Sequence, residues 1–191
     1  MSNPKPTFVT SNKGKAREVG LIFRKHKLGL KVFYAETLEI QSGSLLEISV
    51  LRALQAHKMV GGPVFVEDSG LFIQSLKGFP GPFSSYVYRT LGVEGVLRVL
   101  GEKDRKAVFK SVVCYFDGLG EMKTFEGTCP GKIAAKPAGK GGFGFDPVFI
   151  PAGQKKTFAE MSVEEKNRLS HRSQSVSSLC RWLYKVRRQR T

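Results

Sequence analysis

Cysteine is scarce in this sequence, and its three cysteines, Cys114, Cys129 and Cys180, lie far apart. They form no Cys-X-X-Cys pair, so the sequence indicates neither a zinc site nor a disulfide framework. Disulfides persist mainly in oxidising compartments, and their expected absence points to a reducing, intracellular environment.

Long apolar runs are missing as well. No window approaches the about 18 consecutive apolar residues that a membrane helix needs. The first 15 residues lack the apolar core of a signal peptide. No repeat, low-complexity segment or Ser/Pro-rich linker occurs. We therefore expect a cytoplasmic protein with no membrane contact, folded as a single domain over residues 1–191.

Acidic residues are few, with 16 Asp and Glu against 31 Lys and Arg, which gives a net charge of +15. Such a charge attracts polyanions, including nucleic acids, anionic membranes and nucleotide phosphates, although it can also serve solubility alone. No homeodomain, zinc-finger or RNP signature accompanies it, and the basic residues are spread along the chain. Nucleic-acid binding therefore remains the alternative function, and it predicts a steep dependence of affinity on salt.

The beginning of the chain favours an anion-binding turn. The pattern predicts a strand from Thr7 to Thr10, a glycine-containing turn, and a helix from Lys15 to His26 with an apolar face. This order aims free backbone N–H groups and a helix dipole at an anion, with Asn12 and Lys13 in the turn. An ordinary strand–helix loop with solvated lysines would have the same spacing.

A candidate metal ligand follows the next apolar strand, Val64 to Asp68. Ser69-Gly70 predicts a turn directly after it. Because side chains alternate along a strand, Asp68 and Glu67 should face opposite sides. A carboxylate in this position is suited to Mg²⁺, which uses one or two carboxylates plus substrate phosphates. Asp68 could instead cap its own turn.

The stretch from Lys140 to Arg172 is dense in glycine, aromatic and charged residues, which favours a nucleotide site over a core segment. Residues 139–144 fit the pattern G-x-G-x-x-G, but Asp146-Pro147 follows where the dinucleotide fingerprint requires a helix. The run also lacks the upstream glycine and the following Ser or Thr of a Walker A loop. Further along, Ser162 and Glu165 form a capping box that predicts a helix start, and Ser170 can cap the next helix.

The other predicted elements are assigned a structural role and no chemistry. They are a strand over Val32–Ala35, helices over Leu45–Met59, Phe83–Thr90 and Val93–Leu100, and a β-hairpin formed by Lys106–Asp117 and Glu121–Thr128.

Four motifs in this order resemble the inosine/xanthosine triphosphate pyrophosphatases, which remove deaminated purine nucleotides. They are TSNKGKAREV at Thr10–Val19, LEIQ at Leu38–Gln41, VEDSGLFIQSLKGFPGPFSSY at Val66–Tyr86, and the long motif at Gly142–Arg172. The resemblance covers nearly the whole chain. It implies an α/β fold with a long curved mixed β-sheet and flanking helices, in two lobes around a central cleft, and a homodimer.

The resemblance also implies the site residues. Glu39 and Asp68 would bind Mg²⁺, and Asp68 would also accept a proton. Phosphate contacts would come from Thr10, Ser11, Asn12, Lys13, Gly14 and Lys15, with Glu18 alongside. Further substrate contacts would come from Arg52, Ser69, Ser85, Phe143, Gly144, Phe145, Asp146, Lys166, His171 and Arg172. Two positions are distinctive: some relatives have lysine in place of Arg52, and Ser85-Tyr86 replaces the Ala-Arg of many bacterial members.

The implied reaction converts a nucleoside triphosphate and water into the monophosphate and pyrophosphate, with ITP, dITP and XTP as substrates. Phe143 could stack on the purine. Arg172 only donates hydrogen bonds, which suits a 6-oxo purine and opposes the 6-amino group of adenine. A related septum-inhibitor-like pyrophosphatase acting on other modified nucleotides is the nearer alternative.

Overall fold

The computed structural model describes residues 5–189. Within them the chain forms two compact units. The first comprises residues 5–68, 111–127 and 172–189, and the second comprises residues 69–110 and 128–171. Neither unit is one continuous piece of the sequence.

The described residues form six α-helices. These are α1 (Lys13–Lys25), α2 (Leu45–Val60), α3 (Ser84–Thr90), α4 (Gly92–Leu100), α5 (Val163–Leu169) and α6 (His171–Gln189). Short 3₁₀ turns occur at Gln74–Leu76, Asp146–Val148 and Phe158–Glu160. Within the same range, none of the helices is long and apolar enough to span a membrane.

Seven strands form one mixed sheet. They are β1 (Thr7–Val9), β2 (Lys31–Phe33), β3 (Val64–Ile73), β4 (Pro80–Gly81), β5 (Lys106–Phe116), β6 (Met122–Ile133) and β7 (Phe149–Pro151). The order is β2-β1-β3-β5-β6-β7, with β4 paired to β3. β1 runs parallel to β2 and β3, whereas the pairs β3–β4 and β6–β7 are antiparallel. The predicted α/β fold with a mixed sheet and helices is confirmed.

The core of the first unit forms where α1 and α6 pack on the sheet. Val19, Ile22 and Phe23 are the predicted apolar face of α1, and all three are buried. The ring of Phe65 on β3 stacks between Phe8, at 4.8 Å, and Phe23, at 5.3 Å between centroids. This packing holds α1 against β1 and β3.

The core of the second unit is built around Phe109 on β5. Its ring meets Phe149 at 4.7 Å and Phe158 at 6.0 Å between centroids. Leu71 and Ile73 from β3 belong to the same apolar cluster. Phe145, Phe158 and Met161, from the segment between Gly139 and His171, belong to this core.

One predicted turn is wrong, because β3 continues without a break through Ser69 and Gly70 to Ile73. Gly70 lies in the strand because β4 approaches it closely, and a Cβ atom there would overlap the carbonyl oxygen of Gly81. A glycine inside a strand marks such a close backbone approach as readily as it marks a turn.

Several boundaries also differ. Helix α1 begins at Lys13, so Gly14 lies in its first turn and not in the preceding loop. Strand β2 is shorter than predicted and ends at Phe33, whereas β6 extends to Ile133 because it also pairs with β7.

Candidate functional site

The turn between β1 and α1 is held by Asn12. Its side-chain Oδ1 accepts a hydrogen bond from the backbone N–H of Lys15 at 2.9 Å, which caps the helix. Its own backbone N–H donates to Thr10 Oγ1 at 3.1 Å. Ser11 and Lys13 are exposed. The predicted turn therefore has an ordered helix N-terminus, the kind of terminus that favours anions.

The Lys15 ammonium contacts two oxygen atoms of Glu67. Lys15 Nζ donates to the Glu67 carbonyl oxygen at 2.9 Å and lies 3.0 Å from Glu67 Oε2. The Lys15 side chain keeps 16% of its surface exposed, whereas that of Glu67 keeps none. The ammonium group is thus fixed at the edge of the solvent.

Arg172, at the start of α6, joins the same ion cluster. Its Nε lies 3.1 Å from Glu67 Oε2, and its Nη1 donates to Glu18 Oε2 at 2.6 Å. The residue is only 2% exposed. The predicted role of Arg172 in contacting the base is not tested by these contacts and stays a prediction.

Asp68 belongs to a second polar group. Ser49 Oγ donates to Asp68 Oδ2 at 2.9 Å, and Arg52 Nη1 forms a close ion pair with Asp68 Oδ1. The same Nη1 atom lies 3.1 Å from Glu39 Oε1, and Arg52 Nε donates to Thr37 Oγ1 at 2.6 Å. Glu67 and Asp68 therefore have different partners, as the alternation along the strand predicted.

Burial raises the pKa of the Asp68 carboxyl group above its ordinary 3.8, because the charged form loses water. The guanidinium of Arg52 and, to a smaller extent, the ammonium of Lys15 act in the opposite direction. Two positive groups near a buried carboxylate help to keep it ionised, which both a metal ligand and a proton acceptor require.

The carboxylates of Glu39 and Asp68 converge on one nitrogen atom of Arg52, so their oxygens lie near one point. Glu39 is 57% exposed at its side chain, which leaves that point open to solvent on one side. Within residues 5–189, no cluster of three or more His, Cys, Asp or Glu side chains forms a metal cage. Mg²⁺ commonly uses one or two carboxylates together with substrate phosphates and water, so the donor types of Glu39 and Asp68 suit such an ion.

In the second unit, Asp146 organises the glycine-rich segment. Its Oδ2 accepts hydrogen bonds from Lys166 Nζ at 2.5 Å and from the backbone N–H of Phe143 at 2.8 Å. Lys166 Nζ also lies 4.7 Å from the Phe143 ring centroid and 5.2 Å from that of Phe158. Phe143, Asp146 and Lys166 are thus brought together as one group.

The glycine run packs against the chain itself. A Cβ atom on Gly142 would overlap the Asp146 carboxylate, and its φ of +68° is in the left-handed region. A Cβ atom on Gly139 would overlap the backbone of Ala159. At Gly142 and Gly139 the structure shows close packing against the protein's own Asp146 and Ala159.

Two other residues of the second unit that were predicted to contact substrate, His171 and Phe145, pack against aromatic rings. His171 stacks on Phe109 with centroids 4.7 Å apart, and Phe145 meets Tyr88 edge-on at 5.6 Å. Both side chains are buried, so their rings contribute to the core. Ser85 is exposed on α3, and Ser69 is partly buried. Substrate contacts from these residues and from Gly144 stay predictions.

Two residues of these polar groups, Glu67 and Ser49, were not among the predicted site residues. Glu67 was considered and set aside because it faces away from Asp68. Ser49 carries no local signal, since it lies inside a helix whose pattern is apolar. The strand alternation could have identified Glu67, but only the fold shows that Lys15 and Arg172 lie on its side.

A scan of family models matches residues 7–182 to the Ham1 family. A dITP/XTP pyrophosphatase of Thermococcus kodakarensis is 50% identical over 179 residues, which cover 92% of this chain and 95% of that protein. One of Hyperthermus butylicus is 46% identical, covering 92% of this chain and 93% of that protein.

Solved structures agree with these matches. The Ham1 protein of Staphylococcus aureus has a TM-score of 0.78 at 30% identity, covering 94% of this chain and 98% of that one. A HAM1 protein from Coxiella burnetii has a TM-score of 0.81 at 29% identity, covering 94% and 99%. The resemblance drawn from the motifs is confirmed, and the chain belongs to the Ham1 family.

Proposed function

We propose that this protein hydrolyses deaminated purine nucleoside triphosphates, namely ITP, dITP and XTP, to the monophosphate and pyrophosphate, and so removes them from the nucleotide pool. Relatives with 41–50% identity are dITP/XTP pyrophosphatases, which supports this substrate class. The structural observation that carries the proposal is the convergence of Glu39 and Asp68 on Arg52.

The phosphates would be bound by the turn from Thr10 to Lys15. Asn12 fixes the N-terminus of α1, whose free backbone N–H groups favour an anion. The Lys15 ammonium adds a positive charge that is held near the solvent. Because the substrate carries about four negative charges, positioned cations of this kind would contribute much of the catalysis.

Glu39 and Asp68 would hold Mg²⁺, which when bound offsets phosphate charge and polarises the phosphoryl oxygens. Asp68 would also accept the proton of the attacking water. Its Oδ1 contacts Arg52, whereas its Oδ2 contacts Ser49. Because the two oxygens have different environments, the ligand and proton-acceptor roles could be divided between them.

The base would be recognised by stacking and by hydrogen-bond donors. The ring of Phe143 is partly exposed and presents a flat face on which a purine could stack. Arg172 would donate to the 6-oxo group, and Ser69, Ser85, Asp146, Lys166 and His171 would add polar contacts. A site built from donors discriminates against adenine, because its amino group leaves those donors unsatisfied.

Pyrophosphate release tests this function directly. With Mg²⁺ present, we expect fast release from ITP, dITP and XTP and slow release from ATP, GTP and modified pyrimidine triphosphates. Chelation of divalent ions should abolish the activity, and added Mg²⁺ should restore it. Absence of release from ITP and XTP would overturn the proposal, whereas a preference for modified pyrimidine nucleotides would favour the septum-inhibitor-like alternative.

We also propose a homodimer located in the cytoplasm, as the family resemblance implies. Size-exclusion chromatography with light scattering should then give twice the chain mass of 21.1 kDa. A monomeric mass at micromolar concentration would contradict the dimer and leave the catalytic proposal intact.

A further inference from the structure

Glu67 lies at the centre of the buried ion cluster in the first unit, although sequence reasoning gave it no function. Its Oε2 lies 3.0 Å from Lys15 Nζ and 3.1 Å from Arg172 Nε. Its Oε1 accepts a hydrogen bond from Ser111 Oγ at 2.7 Å. The carboxylate is therefore fixed by groups from α1, β5 and α6.

The contact with Lys15 is bidentate, because Glu67 offers both its carboxylate and its backbone carbonyl oxygen. An ammonium group has three N–H donors. Glu67 accepts a hydrogen bond from this ammonium through its carbonyl oxygen at 2.9 Å, and its Oε2 forms an ion pair with the same nitrogen at 3.0 Å. A substrate phosphate oxygen would then take a remaining N–H donor of the ammonium.

The charges in this cluster are balanced. The two cations, Lys15 and Arg172, face the two carboxylates of Glu67 and Glu18. Loss of the Glu67 charge would leave both cations with one carboxylate, which belongs to the Arg172 side of the cluster. The Lys15 ammonium would then lose the anion that fixes it in one place.

We propose that Glu67 is a positioning residue that holds the Lys15 ammonium at the phosphate-binding turn; this inference rests on the proposed function. A lysine side chain is flexible and carries a compact charge, so its direction must be set by its neighbours. The buried Glu67 carboxylate sets the direction of the Lys15 side chain. The adjacent Asp68, on the opposite face of β3, would bind the metal and accept the proton of the attacking water.

The first test compares Glu67→Gln with Ser175→Ala. Ser175 belongs to the same buried network, since its Oγ lies 2.9 Å from Ser111 Oγ and donates to the Arg172 carbonyl at 3.1 Å, but it has no role in holding Lys15. We expect Glu67→Gln to weaken the binding of pyrophosphate with Mg²⁺ by about tenfold or more, and to lower kcat/KM for dITP similarly. Ser175→Ala should change neither by more than about twofold.

A double-mutant cycle with Lys15→Met separates positioning from a general structural role. In the Lys15→Met background, Glu67→Gln should weaken pyrophosphate binding by no more than about twofold, because the group it positions is gone. Calorimetric titration measures this affinity without turnover. Multiplicative losses in the double variant, or unchanged binding in a folded Glu67→Gln protein, would overturn the inference.

Thermal unfolding identifies variants that fail to fold. If Glu67→Gln does not fold, Glu67→Asp replaces it, because the shorter side chain keeps the charge while moving it away from Lys15. The same cycle then applies, and an affinity equal to that of the unmodified protein contradicts the inference. An unmodified protein that hydrolyses neither dITP nor XTP would instead contradict the proposed function, so the two failures are distinguishable.

Discussion

Arg52 is the residue that joins the two candidate metal ligands. A single nitrogen, Nη1, faces both Glu39 and Asp68, while Nε donates to Thr37. A guanidinium can make these contacts together because its donors are held in a rigid plane. Lysine at this position would offer only a point charge. The arginine therefore also orients the carboxylates in this chain.

Asp68→Asn and Glu39→Gln each test the carboxylate pair. We expect each to lower kcat for dITP by about 10²-fold or more, because each removes a charge from the proposed metal site and Asp68→Asn also removes the proposed proton acceptor. Asp104→Asn is the matched control, since Asp104 is an exposed partner of Lys106 at 3.7 Å. Near-normal kcat at saturating Mg²⁺ in either variant would contradict the assignment, and thermal unfolding would verify that both fold.

Arg172→Ala has two expected effects. It removes the buried cation that pairs with Glu18 and Glu67, although Glu67 keeps its contact with Lys15, so stability should fall by about 3–5 kcal/mol in urea unfolding. If Arg172 also reads the 6-oxo group, the ratio of kcat/KM for ITP to that for ATP should decrease.

Arg181→Ala provides the control on the same helix, because the exposed Arg181 contacts Ser178 at 2.9 Å. Its stability should change by less than about 0.5 kcal/mol. If the ITP-to-ATP ratio of kcat/KM is unchanged in Arg172→Ala, Arg172 does not contribute to nucleotide selectivity. If the stability is unchanged, its ion pairs do not stabilise the fold.

At the scale of secondary-structure elements, the two adjacent acidic side chains of β3 point to opposite faces of the strand and have different partners. Alternation sends Glu67 towards Lys15 and Arg172, and Asp68 towards Ser49 and Arg52. A shift of one residue in the strand would exchange the two carboxylates between these environments. The apolar residues on both sides of the strand, which are fully buried, prevent such a shift.

Helix α5 carries Lys166, and its start is fixed by the predicted capping box. Ser162 N–H donates to Glu165 Oε2 at 2.7 Å, and Glu165 N–H donates to Ser162 Oγ at 3.1 Å. The hydrogen bond from the Ser162 backbone, followed by the charge of Lys156, lowers the pKa of Glu165 below its ordinary 4.5. The carboxylate form therefore stabilises the folded state.

Glu165→Ala should lower the Tm at pH 7 more than Glu164→Ala, which removes a charge from the same helical turn without the capping bond. This difference should be present above the unfolded-state pKa of 4.5 and disappear as the pH falls through the lower folded-state pKa. Thermal unfolding from pH 2 to 7 measures it. Equal Tm values for the two variants at pH 7 would show that the cap does not stabilise α5.

At the scale of the whole molecule, the three cysteines are buried in different parts of the structure. Burial raises the pKa of Cys114 and Cys180 to about 12 and that of Cys129 to about 11, from an ordinary 9.0. The thiolate is the reactive form, so all three should be unreactive in the folded protein.

A thiol titration with dithionitrobenzoate at pH 8 checks this. We expect three fast-reacting thiols in guanidinium chloride and only slow reaction in the native protein. Stability should also fall as the pH rises above about 9, because the unfolded thiols lose protons that the folded ones retain. A thiol that reacts equally fast in both states would contradict the burial.

Much of the fold followed from local patterns. The capping box at Ser162 and the apolar face of α1 were both predicted and confirmed. Each depends on residues within one or two turns of each other. The Ser69-Gly70 turn was wrong because the deciding contact, with Gly81, comes from a different strand.

The sequence by itself determined the helix caps and the opposite orientation of Glu67 and Asp68, because these depend on spacing along the chain. Its motifs determined the family, and the resemblance to that family implied the candidate list of site residues. Only the tertiary structure decided which of those residues meet. Glu18, Glu67 and Arg172 form one cluster although up to 154 positions separate them. Ion pairs of this kind arise when strands and helices pack, and no local pattern specifies their partners.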